Sequence, residues 1–146
     1  MFEQKREIRL PADTPPQLIV VIDTEEEFDW NAEPDAKANR VSAMAHIDRA
    51  QNIFNEYGIC PCYVIDYPVI SQSRGYGLLK QYAEKGQCEI GAHLHPWVNP
   101  PQEEAVTRSN MYPGNLPEAL EREKLRVLSE TIQQNFGRPP VAYKAG

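Results

Sequence analysis

The chain has 146 residues, 41% of them hydrophobic and 9% aromatic, and a formal net charge of −6. This length is enough for one domain with a hydrophobic core, and the composition excludes an intrinsically disordered chain. Acidic residues outnumber basic ones by 21 to 15 and the basic ones form no cluster, which excludes nucleic acid as a partner.

No membrane-spanning or secretion segment is predicted. The longest apolar run, residues 18–22, is far shorter than the roughly 20 residues that cross a bilayer. Residues 1–14 are polar and lack the hydrophobic segment of a signal peptide, so the sequence predicts a cytoplasmic protein. Cys60, Cys62 and Cys88 are an odd number and fit no common zinc spacing, which favours small apolar residues at strand starts over disulfides or metal ligands.

The predicted elements alternate between strands and helices. Residues 1–16 form a lead-in, and residues 17–146 form the domain. The first strand, residues 18–23, is continuously apolar, which predicts a central place in a parallel sheet. After an acidic loop, the pattern predicts a helix, a strand, a helix and a third strand, at residues 41–57, 61–66, 76–85 and 88–92. Glycines 58 and 86 are expected to end the two helices.

The second half contains the clearest helix. A proline-rich loop covers residues 96–117, and a helical stripe of apolar side chains then extends to Phe136. Asn115 is a candidate cap, and Gly137 is expected to end this helix. A fourth strand begins at residue 141. The order β-α-β-α-β-α-β predicts an α/β fold with a parallel sheet. Since a (β/α) barrel needs roughly 250 residues, four strands correspond to its first half, truncated after the fourth strand.

Two acidic residues follow the first apolar strand. Asp23 comes directly after five apolar residues, and Glu25 has the same orientation if the extended geometry continues. Burying a carboxylate is costly unless it is paired, hydrogen-bonded or bound to a metal. The alternative is a solvated acidic turn. Because ligands bind at the carboxyl ends of parallel strands, these acids are candidates for a site.

His93 and His95 follow the third predicted strand with an i, i+2 spacing. This spacing places both imidazoles on one side of an extended segment, where they can bind zinc or a related ion together with a carboxylate. The alternative is a pair of hydrogen-bonded loop histidines. The third histidine, His46, lies on the first predicted helix and is expected to serve the surface or packing.

Aromatic and basic residues are also predicted near the candidate ligands, at the carboxyl ends of the strands. Trp30 and Trp97 each follow the candidate ligands, where exposed rings would stack on sugars or wall a pocket. Tyr112 belongs to a predicted turn and is a second candidate for contact with a substrate. Lys144, near the end of the fourth strand, is expected on the same face and can pair with Asp23; the alternative is a solvent-facing lysine.

Four stretches of the chain resemble the polysaccharide deacetylase family, the NodB-homology carbohydrate esterases, and within it the WalW-like branch. They are spread from residue 22 to the last residue: Ile22–Trp30 (IDTEEEFDW), Glu89–Trp97 (EIGAHLHPW), Tyr112–Pro117 (YPGNLP) and Tyr143–Gly146 (YKAG). The resemblance implies a distorted NodB-type (β/α) barrel that hydrolyses N-acetyl or O-acetyl groups on sugars with the help of a metal.

The resemblance also implies roles for individual residues. Asp23 matches the family's general base, whereas Thr24 stands where the family has a ligand aspartate, so Glu25 becomes the substitute ligand. His93 matches the first ligand histidine. Position 97, where the family's second histidine would stand, is Trp, which leaves His95 as the second ligand. Lys144 stands where the family usually has an arginine.

The cofactor implied is a divalent metal, with zinc first and cobalt, nickel or manganese as alternatives, and the partner implied is an acetylated carbohydrate. The family's catalytic-acid histidine belongs to a later motif that the 146 residues do not contain. We therefore expect the chain alone to be inactive. The open edge of half a barrel also predicts self-association.

Two other functions fit the same residues. The first is a degenerate deacetylase-like domain that binds carbohydrate or a partner without turnover, which the departures at positions 24, 97 and 144 favour. The second is another H-x-H metallohydrolase, although such folds usually carry the H-x-H motif on the first strand rather than the third. Metal content distinguishes the first alternative from an active deacetylase.

Overall fold

The computed structural model describes residues 9–146, so residues 1–8 of the predicted lead-in lie outside the described residues. A four-stranded parallel sheet, curled into a half-barrel and alternating with helices, forms the centre of the fold. Its strands are β1 (Val21–Thr24), β2 (Cys62–Ile65), β3 (Glu89–Leu94) and β4 (Tyr143–Ala145), paired in that order. The predicted α/β class and parallel sheet are thus confirmed.

Four α-helices connect the strands: α1 (Asp48–Glu56), α2 (Tyr67–Ser71), α3 (Ser73–Glu84) and α4 (Glu118–Phe136). Glycines 58, 86 and 137, which were expected to end the three predicted helices, all have positive φ, a conformation that glycine adopts at little cost. In the described residues no helix is both long and apolar enough to cross a bilayer.

Several predicted bounds were wrong. The helix predicted over residues 41–57 is a 3₁₀ turn (Ser42–His46) followed by α1, and the helix predicted over 76–85 starts earlier, at Ser73, after the unpredicted α2. Asn115 does not cap α4: Pro117 occupies the N-cap position without a side-chain bond. The amide of Asn115 instead donates to the carbonyl oxygen of Ser109.

The first strand is not central, contrary to its prediction. Among residues 9–146 it pairs only with β2, and Leu18 and Ile19, which precede it, are 76% and 79% exposed. The central strands are β2 and β3, whose residues are almost all buried. A continuous apolar run therefore indicated a parallel strand here but did not indicate its position in the sheet.

The core lies between the sheet and the helices that pack on it. Helix α4 packs on β3, and α2 and α3 pack on each other and on α4. The largest buried apolar side chains come from the two central strands and from these helices: Tyr63, Ile65, Ile70, Leu79, Leu94, Leu128 and Ile132. This core packs against β2 and β3, and both strands end at the edge where the polar site lies.

A buried lysine organises the proline-rich loop that follows β3. The ammonium group of Lys124, on α4, donates to the carbonyl oxygens of Pro96 (3.0 Å), Asn99 (2.6 Å) and Pro101 (2.5 Å). It also pairs with Glu104 at 3.0 Å. Burial lowers the pKa of Lys124, and the Glu104 carboxylate counteracts this effect. The loop is therefore tied to α4 through one cationic group.

Lys124→Met is expected to destabilise the fold by about 3–5 kcal/mol, because it leaves a buried carboxylate and several carbonyl groups without their donor. Urea unfolding of the purified protein measures this change. The matched control is Lys85→Met at the exposed end of α3, for which we expect a change within about 0.5 kcal/mol. Equal stabilities of the two variants would show that the loop does not depend on Lys124.

Candidate functional site

One carboxylate and two imidazoles meet at the carboxyl ends of β1 and β3. Glu25 directly follows β1, and His93 is the second-to-last residue of β3. His95 directly follows β3 in extended conformation. Glu25 Oε2 is 3.2 Å from His93 Nε2 and 3.3 Å from His95 Nε2. The two histidines are buried, whereas Glu25 is partly exposed. The predicted convergence of His93, His95 and an acid from residues 23–25 is confirmed.

The other ring nitrogen of each histidine has its own partner. His93 Nδ1 lies 3.0 Å from the carbonyl oxygen of Lys144, which can only accept, so Nδ1 carries the proton. His95 Nδ1 lies 2.9 Å from Glu26 Oε2. In the neutral form of both rings, the lone pair is therefore on Nε2 and faces Glu25.

The donor set and its spacing fit a divalent cation. Two donor atoms bound at about 2.0–2.1 Å to one tetrahedral ion lie about 3.3 Å apart. The two Glu25–histidine separations, 3.2 and 3.3 Å, match this value. The ligand atoms of all three residues lie within 4.8 Å of one another. Three protein ligands leave further positions open, as in catalytic rather than structural metal sites.

A second group of titratable residues lies behind His95. Glu26 is buried, and besides its contact with His95 its backbone N–H donates to Asp66 Oδ2 at 2.7 Å. Asp66 directly follows β2 and caps α2, where its Oδ1 accepts the N–H of Val69 at 2.8 Å. The three carboxyl ends of β1, β2 and β3 therefore all contribute to this edge.

The charges of these groups follow from their contacts. Hydrogen bonds from His93 and His95 lower the pKa of Glu25 to about 2, although burial opposes them. Burial disfavours the cationic form of His95, but hydrogen bonds to Glu25 and Glu26 outweigh this and raise its pKa to about 9. A metal ion that binds Nε2 at neutral pH must consequently displace a proton from His95.

Glu26 and Asp66 are neighbouring buried acids whose pKa values shift in opposite directions. Burial opposes ionisation of Glu26, but hydrogen bonds from His95 and Asp66 prevail and lower its pKa. Burial, together with the neighbouring Glu26, raises the pKa of Asp66 well above its usual range. Ionisation is therefore favoured at Glu26 and disfavoured at Asp66.

Asp23 and Lys144 pair across the open end of the sheet, as expected from the sequence. Lys144 Nζ lies 2.5 Å from Asp23 Oδ2, and both side chains are substantially exposed to solvent. Thr24, which lies between Asp23 and Glu25 in the chain, is buried, and its hydroxyl donates to the carbonyl oxygen of Ile22. Of the two alternatives for a ligand at this strand end, the structure brings Glu25 rather than Thr24 to the histidines.

The predicted aromatic residues surround a small cavity next to this site. A space of about 110 Å³ is lined by Trp30, Trp97, Arg108, Met111, Tyr112 and Gly146. Trp30 and Tyr112 are exposed, whereas Trp97 is only 3% exposed and lines the cavity, which agrees with the pocket-wall alternative for Trp97. Its indole stacks on His95, with ring centroids 4.3 Å apart. Stacking on a site residue withdraws the ring from solvent.

Two residues without a predicted role also shape the site. Phe28 contacts Trp30, His95 and Trp97, with ring centroids 4.4, 5.5 and 5.4 Å away. A Cβ atom at position 146 would collide with the ring of His95 and with the carbonyl oxygen of Leu94, so only glycine allows this approach. The ring of Phe28 and the close approach of Gly146 both restrict the orientation of the His95 imidazole.

Glu26 and Asp66 are the polar site residues that the sequence interpretation missed. A signal for Asp66 was present, since it directly follows the apolar strand β2 just as Asp23 follows the run of residues 18–22. His46 is exposed, in agreement with its predicted surface role. The three cysteines are free: Cys60 is exposed, Cys62 starts β2 and Cys88 is buried just before β3.

Comparisons with protein-family models, with curated proteins and with solved structures found no match for this chain. The resemblance to polysaccharide deacetylases therefore depends on the four sequence stretches alone.

Proposed function

We propose that this protein is a metal-dependent hydrolase that removes acetyl groups from an amino sugar or polysaccharide, and that its sheet is the first half of a NodB-type barrel. The observation that carries the proposal is the cluster of Glu25, His93 and His95, whose ligand atoms lie within 4.8 Å of one another. The Asp23–Lys144 pair at the same end of the sheet supports it.

The chemistry of acetyl hydrolysis matches the groups present. Glu25, His93 and His95 would hold a divalent ion, which would supply polarisation of the scissile carbonyl and acidification of the attacking water; zinc suits this mixed nitrogen and oxygen donor set. Asp23 is the proposed general base that accepts the proton of that water, and an acid in the proposed second half of the barrel would protonate the departing amine or alcohol. Lys144 is proposed to orient the Asp23 carboxylate through their ion pair.

The surroundings of the cluster suit a carbohydrate. Exposed Trp30 and Tyr112 offer flat apolar faces on which sugar rings can stack. Arg108 donates to the carbonyl oxygen of Ala32 at 3.0 Å, which ties the acidic loop to the proline-rich loop on the two sides of the cavity. Buried Trp97 covers one face of His95 and keeps water away from that side.

Removal and return of the metal test this function. The complete protein, by which we mean this chain together with the proposed second half of the barrel, is loaded with zinc and incubated with N-acetylglucosamine oligomers and with O-acetylated xylan, and released acetate is measured. We expect acetate release that stops after chelation and resumes when zinc, cobalt, nickel or manganese is added back. Stoichiometric metal without acetate release from either substrate would contradict the proposal and favour the domain that binds carbohydrate without turnover.

A further inference from the structure

Glu26 contacts the side of His95 that faces away from Glu25. Its side chain is fully buried, and its Oε2 lies 2.9 Å from His95 Nδ1. The opposite nitrogen of the same ring, Nε2, is 3.3 Å from Glu25. One imidazole is therefore held between two consecutive glutamates, one on each side of its ring.

We propose that Glu26 is a positioning residue, which fixes the ring orientation and tautomer of His95 so that Nε2 presents its lone pair to a metal, and that Asp66 holds Glu26 in place. This role rests on the metal-dependent function proposed above. Glu26 acts through His95 and does not touch the substrate.

Asp66 anchors the backbone of the Glu26 segment at two points. Its carboxylate accepts the N–H of Glu26, and its own N–H donates to the carbonyl oxygen of Thr24 at 3.2 Å. Because Asp66 also caps α2, these bonds link the start of a helix packed in the core to residues 24–26. The backbone that carries the Glu26 carboxylate is consequently tied to the end of β2.

The contacts favour positioning over metal ligation by this second group. The ligand atoms of Glu26, Asp66 and His95 also lie within 4.8 Å of one another. However, both Asp66 oxygens already accept backbone N–H groups. The Glu26–His95 separation of 2.9 Å is that of a charge-assisted hydrogen bond. All three residues are buried, so this group lacks the open position that a catalytic metal requires.

A carboxylate behind a ligand histidine affects the metal by a known physical route. It accepts the Nδ1 proton, which leaves the lone pair on Nε2, and it increases the basicity of the ring. Without it, the imidazole can adopt the other tautomer, in which Nε2 carries a proton and cannot bind metal. Loss of such a partner typically weakens metal affinity by about 10–100-fold.

The test compares Glu26→Gln with Glu27→Gln in the complete protein. Both variants remove one negative charge from neighbouring positions, but Glu27 bonds to Ser42, Ala43 and Arg40 and contacts neither histidine. Zinc affinity is measured by competition with a chromophoric chelator. We expect the zinc dissociation constant to rise about 10–100-fold for Glu26→Gln and to stay unchanged for Glu27→Gln.

Nitrogen-15 NMR of the imidazoles in the zinc-loaded wild-type protein supplies a readout that needs no variant. The proposal requires His95 to bind zinc through Nε2 with the proton on Nδ1; zinc on Nδ1 would overturn it even if Glu26→Gln does not fold. Equal zinc affinity in wild type and Glu26→Gln would also overturn it. Two zinc ions per wild-type chain, one of them lost in Glu26→Gln, would make Glu26 a ligand instead. No zinc binding by the wild type would refute the metal site itself, and this role with it.

Discussion

Asp23→Asn in the complete protein is expected to reduce the turnover number roughly a hundredfold or more while the metal content stays nearly unchanged, the usual scale for loss of a general base. Asparagine keeps the shape of the side chain, but its amide cannot accept a proton from water. Asp23 contacts Lys144 rather than either histidine, so its replacement leaves the proposed ligands intact. Steady-state acetate release and atomic absorption measure the two quantities.

Two further variants sharpen this result. Asp13→Asn makes the same change of charge at an exposed position outside the sheet, and we expect wild-type turnover from it. Lys144→Met keeps the Asp23 carboxylate but removes its partner, so turnover should fall less than for Asp23→Asn. The assignment fails if Asp23→Asn loses metal while Glu25→Gln retains it, because Asp23 would then be the ligand.

The convergence of the site residues could be predicted because it depends on a rule of parallel sheets. The carboxyl ends of the strands all lie at one edge, so polar residues that follow β1 and β3 must meet there. The i, i+2 spacing of His93 and His95 correctly predicted that both imidazoles lie on the same side of the segment, because the chain stays extended through His95. Lys144 met Asp23 for the same reason, although these residues belong to strands at opposite edges of the sheet.

The roles of Glu26 and Asp66 could not be predicted, because they depend on contacts between loops. Within the run Glu25-Glu26-Glu27 the i, i+2 spacing from Asp23 indicated Glu25 as a ligand candidate, but nothing in the sequence gave Glu26 and Glu27 different roles. In the structure Glu25 reaches the histidine Nε2 atoms, Glu26 is buried behind His95, and Glu27 accepts hydrogen bonds from Ser42 and Ala43. Three identical residues thus have three environments, set by the partners that each one meets.

The burial of individual side chains has physical causes that the sequence pattern does not show. Trp97 was expected either to stack on a sugar or to wall a pocket, and its burial follows from the imidazole of His95 on which it stacks. The exposure of Leu18 and Ile19 depends on what pairs with the outer edge of β1, and no strand does so in residues 9–146. Periodicity along a chain describes one element, whereas burial is a property of two elements in contact.

His93→Ala is expected to remove the metal, and Glu25→Gln to weaken its binding. A three-residue site that loses one ligand should lose more than the roughly 10–100-fold that loss of a supporting partner costs. A neutral amide is a poor ligand for a borderline cation, so Glu25→Gln should also raise the dissociation constant. Cobalt loaded in place of zinc reports the result directly, since its visible absorption depends on the ligands and their geometry.

The matched control for the histidine is His46→Ala, because His46 is exposed on the 3₁₀ turn before α1. We expect it to bind cobalt with the wild-type spectrum and affinity. Circular dichroism and urea unfolding must accompany the metal titration, since His93 also donates to the carbonyl oxygen of Lys144 and its loss should cost about 1 kcal/mol of stability. A folded His93→Ala protein with wild-type cobalt affinity would exclude the cluster of Glu25, His93 and His95 as the metal site. The buried group of Glu26, Asp66 and His95 would then be the remaining candidate among the described residues.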